Sequence, residues 1–139
     1  MIYIANDHGG VVLKNKIVKF LVKKGYSVEN LGTDTFESVN YADYAKKLCP
    51  KVLENSTNFG ILICKSGIGM SITANRFKGI RAGLCLSPKM AKLCRNHNNC
   101  NVLVLGSNTF NYKKVVLTFL TESFAGGRHL ERINSIDGE

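Results

Sequence analysis

Between Glu54 and Glu122 the chain has no aspartate or glutamate, yet nine lysines and arginines fall there. The remainder balances, so the net charge of +9 arises almost wholly in that interval. Such a segment sets up a positive field that favours an anionic partner. Tryptophan is missing altogether. The basic residues form no run with interleaved aromatics, so nucleic acid is not the expected partner. No apolar stretch approaches the ~20 residues a membrane helix needs. The start, Met1 to His8, lacks a basic region followed by an apolar core, so no signal peptide is expected and a cytoplasmic location is the default. The five cysteines are odd in number and never fall in Cys-x-x-Cys spacing. A disulfide framework or a structural zinc site is therefore not expected, and nothing calls for a metal or another cofactor.

With 139 residues the chain is long enough for one core, so a single domain over 1–139 is expected. Short apolar runs alternate with longer amphipathic ones. Strands are expected at Ile2–Asn6, Ser27–Asn30, Phe59–Cys64, Ile80–Cys85 and Asn101–Leu105. Helices are expected at Val11–Lys24, Tyr41–Glu54, Met70–Phe77, from Ser87-Pro88 to Asn96, and at Tyr112–Ser123, with a short final segment over Arg128–Ile136. In the first helix Val12, Ile17, Phe20 and Leu21 could share an apolar face with the lysines opposite. Five strands alternating with helices imply a three-layer α/β/α, Rossmann-like domain on a five-stranded parallel sheet. The loops after the first, third and fifth strands are expected to converge at one edge.

Four motifs carry candidate chemistry. The first is Asp7-His8-Gly9-Gly10, at the end of the first strand, which suits sugar hydroxyls and a phosphate or simply turns the chain. The second is Cys64-Lys65-Ser66-Gly67-Ile68-Gly69-Met70-Ser71. It fails as a dinucleotide fingerprint, because Ile72 stands where Gly or Ala is needed and no acid follows ~20 residues on. It lacks Gly-Lys-Ser/Thr, so it is no Walker loop, and Met70 stands where a cysteine phosphatase needs arginine. What remains is a cysteine beside a glycine-rich nest that could hold an anion. The third motif is Arg95-Asn96-His97-Asn98-Asn99. The fourth is Gly126-Gly127-Arg128-His129-x-x-Arg132, whose two arginines share a helix face and suit a phosphate dianion. All three histidines fall inside these motifs. Together they describe a phosphosugar site with a cysteine base and a histidine.

In those motifs, with Ala74-Asn75 and Gly79-Ile80-Arg81-Ala82 between them, the whole chain resembles the type B ribose-5-phosphate isomerases, which share a fold with the galactose-6-phosphate isomerase subunits. The resemblance implies aldose–ketose isomerisation of ribose 5-phosphate and ribulose 5-phosphate without a metal. Cys64 matches the general base. The amides of Gly67, Ile68, Gly69, Met70 and Ser71, with the Ser66 hydroxyl, match the enediolate oxyanion hole. His97 matches the ring-opening residue, Asp7 and Asn98 the sugar contacts, and His8, Arg128 and Arg132 the phosphate ligands. It further implies at least a homodimer, or a dimer of dimers, with sites shared between chains. Three departures stand out: Asn108 replaces a common arginine that contacts phosphate, Lys65 replaces a common glycine, and Ala42 replaces proline after Tyr41. Other readings are a six-carbon phosphate isomerase, a non-catalytic anion- or nucleic-acid-binding module using the basic interval, and a cysteine-dependent redox protein.

Overall fold

The computed structural model describes residues 1–138. Five strands form one sheet: β1 (Ile2–Asn6), β2 (Val28–Asn30), β3 (Phe59–Cys64), β4 (Ala82–Leu84) and β5 (Val102–Gly106). All neighbours run parallel in the order β2-β1-β3-β5-β4. Six helices surround it: α1 (Val11–Lys23), α2 (Tyr41–Leu53), α3 (Ile68–Ala74), α4 (Pro88–Asn96), α5 (Tyr112–Thr121) and α6 (Arg128–Ile136). A single 3-10 turn, His8–Gly10, precedes α1.

The near-continuous apolar runs are those of strands buried on both faces. Successive side chains point to opposite sides, so each strand serves two cores. Ile4, Ile61, Ile63, Leu103 and Leu105 pack against Leu13 and Ile17 of α1 and Val115, Val116 and Phe119 of α5. Tyr3, Ala5, Leu62, Cys64, Val102 and Val104 pack against Leu48, Cys49 and Val52 of α2 and Met70 and Ala74 of α3. The expected three-layer arrangement is therefore present.

Element ends differ from expectation by one to three residues, with physical causes. The expected start of α3 at Met70 moves back to Ile68, because Gly67 turns through the left-handed region (φ 81) and the helix follows at once. It stops at Ala74 rather than Phe77 because the Asn75 side chain pairs with both backbone groups of Ala82 (2.8 and 3.0 Å). Strand β4 begins at Ala82 for the same reason. The expected face of α1 is also corrected. Leu13, Ile17 and Leu21 face the core, Val12 is 54 % exposed, and Lys14 is wholly buried. The 3-10 turn fixes the phase of the helix and turns that lysine inward.

Candidate active site

Strand register sets the first half of the site. Asn6 is level with Ile63, and Cys64 with Gly106. The segments leaving the carboxyl ends of β1, β3 and β5 are thus neighbours, as expected, at the edge where open α/β sheets bind ligands. Cys64 is 5 % exposed, and its Sγ accepts the Gly67 N–H at 3.2 Å. An amide aimed at sulfur supports negative charge there. Ser66 is exposed, and its Oγ accepts the Ile68 N–H at 3.2 Å. Ser71 N–H closes the first helical turn on the Gly67 carbonyl at 3.0 Å. Of the five amides from Gly67 to Ser71, those of Gly69 and Met70 are left without a protein acceptor.

Gly67 must be glycine, because its φ of 81 is left-handed, and Gly69 leaves room for a neighbouring ring. A Cβ on Gly67 would lie 2.6 Å from Leu84 and 3.1 Å from the Leu105 backbone, and one on Gly69 would lie 2.3 Å from the Tyr41 ring. Tyr41 therefore borders the loop. Asp7, buried, turns its Oδ1 back to the Gly9 N–H at 2.9 Å, while His8 Nδ1 accepts the Val39 N–H at 3.1 Å. Asn108 is exposed just beyond β5, beside an open hollow of about 380 Å³ that Val12, Lys16 and Phe110 also line. Lys65 is exposed too; its backbone carbonyl, not its ammonium, joins the loops by accepting the Ser107 N–H at 3.1 Å.

His97, Asn98, Arg128 and Arg132 lie elsewhere. His97 caps the far end of α4, and the residues after it enter β5 at its amino end, where the Asn101 N–H bonds the Arg81 carbonyl at 3.0 Å. The His97 ring stacks on His129 with centroids 4.3 Å apart and planes 15° apart. Arg81 ties α6 to the same place, through Asp137 at 2.8 Å and through the carbonyls of Asn98 and Asn99. Arg128 and Arg132 line a separate hollow of about 460 Å³. The motifs thus divide between the two edges of the sheet. Strands of five or six residues rising ~3.3 Å each put those edges on the order of 20 Å apart. Within one chain Cys64 and His97 do not meet.

Comparison with known proteins decides the family. The ribose/galactose isomerase family model matches residues 2–136. The chain belongs to this family. Ribose-5-phosphate isomerase B of Escherichia coli is 41% identical over 133 residues, covering 94% of this chain and 89% of that protein. The crystal structure of a ribose 5-phosphate isomerase from Thermotoga maritima superposes with a TM-score of 0.95 at 50% identity, covering 99% of this chain and 97% of that one. Ribose-5-phosphate isomerase B from Mycoplasma genitalium, solved with bound ribulose-5-phosphate, superposes with a TM-score of 0.93 at 42% identity, covering 99% and 93%.

Within this isomerase fold, Asn6, Lys14 and Asp34, outside the sequence motifs, shape the carboxyl edge. Asn6 is fully buried, and its Nδ2 donates to the carbonyls of Asp7 (2.8 Å) and Thr33 (3.0 Å). Lys14 Nζ reaches Thr33 O at 2.9 Å, Asp34 Oδ1 at 2.5 Å and Asn30 Oδ1 at 3.4 Å. The Lys14 ammonium holds the Asp34 carboxyl below the usual carboxylate range, first by its hydrogen bond; Asn30 adds a second. With the His8–Val39 bond, these contacts fasten segment 31–40 over β1 and lead it to Tyr41. A lysine in a helical stretch reads as surface by composition; only its place three residues from both Val11 and Ile17 hinted otherwise.

The other cysteines differ from Cys64 in setting. Burial pushes the Cys49 thiol up to about 12. Cys94 hydrogen-bonds Cys100, which draws its thiol down, but Cys85 and burial outweigh that and push it up to about 12. Among the described residues, no helix is long and apolar enough to cross a membrane.

Proposed function

We propose that this chain is one isomerase domain over 1–139 that interconverts D-ribose 5-phosphate and D-ribulose 5-phosphate, the non-oxidative pentose phosphate step. Cys64 removes the C2 proton of the open-chain aldose. The electron pair moves onto the C1 carbonyl oxygen, the proton of the C2 hydroxyl passes to that oxygen, and the enediolate, its charge now on O2, takes the proton back from Cys64 at C1 as C2 becomes the ketone carbonyl. The amides of Gly69 and Met70, with the Ser66 hydroxyl, hold the oxyanion; one such donor is typically worth about 2.7–4 kcal/mol. His97 assists ring opening. Asp7 and Asn98 bind sugar hydroxyls. His8, Arg128 and Arg132 bind the phosphate, with Asn108 at its margin.

The division of these groups between opposite edges carries the reading. A complete site needs the carboxyl edge of one chain and the amino edge of another, and a two-fold dimer provides both twice. The flank beside edge strand β4 supports such pairing: Ile68 and Ile72 of α3, and Leu86, Met90 and Leu93 at α4, leave apolar side chains open to solvent. The 42%-identical neighbour with bound ribulose-5-phosphate supports the substrate.

Mixing two inactive variants tests the proposal. Cys64→Ala breaks the carboxyl half, and His97→Ala the amino half. A hybrid dimer contains one doubly broken site and one intact site, so random exchange should restore about a quarter of wild-type turnover. A mixture no more active than its separate components would overturn the shared site.

A further inference from the structure

We propose that the chain carries a second oxyanion site, built on Arg95 at the amino edge of the sheet beneath the end of α2. A hollow of about 340 Å³ opens there, lined by Asn55, Ser56, Asn58, Arg81, Arg95 and Asn99 among others. Arg95 is 9 % exposed and lies against the rings of Phe59 (4.8 Å) and Phe119 (5.8 Å). Its Nη1 donates to Asn99 Oδ1 at 3.0 Å and to the Cys100 carbonyl. Its Nε is buried without a partner, and Nη2 has no protein acceptor.

The neighbouring arginine shows the contrast. Arg81 is neutralised by Asp137 at 2.8 Å and directs its other N–H groups to the carbonyls of Asn98 and Asn99. Among the described residues no carboxylate pairs with Arg95. A buried cation without a counterion is costly, and arginine cannot escape by losing its proton. Burial draws the Arg95 pKa down, as an uncompensated charge requires. The walls add donors: among the described residues the Asn99 amide and, at the exposed rim, the Asn55 amide and Ser56 hydroxyl donate to no protein acceptor. A small, acceptor-rich anion of phosphate size fits this chemistry. The hollow is separate from the one lined by Arg128 and Arg132.

Titration with inorganic phosphate, followed by amide NMR shifts, tests the site. Saturating shifts are expected at Asn55, Ser56 and Gly79. Asn99→Asp keeps the acceptor for Arg95, and aspartate tolerates the left-handed backbone at this position (φ 47), yet it supplies an internal counterion. It should weaken phosphate at those amides by about tenfold or more. Asn55→Asp, at the mouth, should weaken it in the same direction. Shifts confined to Gly67–Ser71 and Arg128–Arg132, or saturation unchanged in both variants, would overturn the site. Neither readout depends on isomerase activity.

Discussion

The two edges of the sheet are built by different means. At the carboxyl edge the backbone makes the site: Gly67 in a left-handed turn, Gly69 against Tyr41, and amides aimed at Cys64 and the space beside it. At the amino edge side chains make it: Arg81 clamps Asp137 to the loop before β5, and His97 stacks on His129. In the first arrangement the Cys64–Ser71 contacts are local in sequence, and only the packing of Gly67 and Gly69 reaches further. The second depends on residues more than thirty positions apart. A reaction drawing on both must join two copies, and each edge should fail in its own way.

The largest difference concerns chemistry. Cys64→Ala removes the proposed base from a site whose amides remain in place. Turnover should fall about 10²–10⁴-fold, the usual contribution of general base catalysis, while the circular dichroism spectrum and melting temperature hold. Near-normal turnover in a folded variant would transfer the base role to another group.

Next comes the backbone. Gly67→Ala adds a left-handed alanine and forces its Cβ against Leu84 and Leu105, so a loss of about 3 kcal/mol is expected by chemical denaturation. Gly126 also has positive φ, but a Cβ there meets nothing within 4 Å, so Gly126→Ala should cost only about 1 kcal/mol. Equal losses would mean that close approach at the carboxyl edge contributes nothing.

This contrast also explains what was legible in the sequence. The Cys64 loop was readable because its signals are local: an apolar strand, a cysteine at its end and closely spaced glycines. The sheet followed from the alternation of elements, and Ser87-Pro88 marked the start of α4. The placement of His97 at the opposite edge from Cys64 was not readable, because motif order along a chain does not say which strand end a residue occupies; resemblance alone implied that partner chains share the site. Lys14 was misread because burial of a lysine depends on Asp34 and Thr33, which reach it only through the fold. The early end of α3 depends likewise on Asn75 meeting Ala82.

A smaller effect should separate binding from chemistry at the amino edge. Arg132→Ala removes one proposed phosphate ligand that acts alike on ground and transition states. KM should rise about tenfold with kcat nearly unchanged. A fall in kcat with constant KM would instead place Arg132 in the chemical step.

The smallest difference is in acid response, where the edges act in different pH windows. His129 is held below the ordinary histidine value, by desolvation first and then by His97, Arg128 and Arg132. The unfolded chain therefore binds this proton more readily than the folded one. Stability is unaffected well above pH ~6.5 and declines as pH drops through that value. Asp34 at the carboxyl edge is also lowered, but as a carboxylate paired with Lys14. Its contribution is complete above the ordinary aspartate value of 3.8 and disappears only as pH falls through the lower folded value. Asp34 is largely exposed but Lys14 is wholly buried, so Asp34→Asn leaves that ammonium with neutral acceptors only and should cost about 2 kcal/mol at neutral pH. His129→Gln should flatten the stability profile between about pH 7 and 5 and leave the lower range intact. Asp34→Asn should do the reverse. Denaturation curves collected across both ranges distinguish the two, and a His129→Gln profile parallel to wild type would show that His129 does not sense pH.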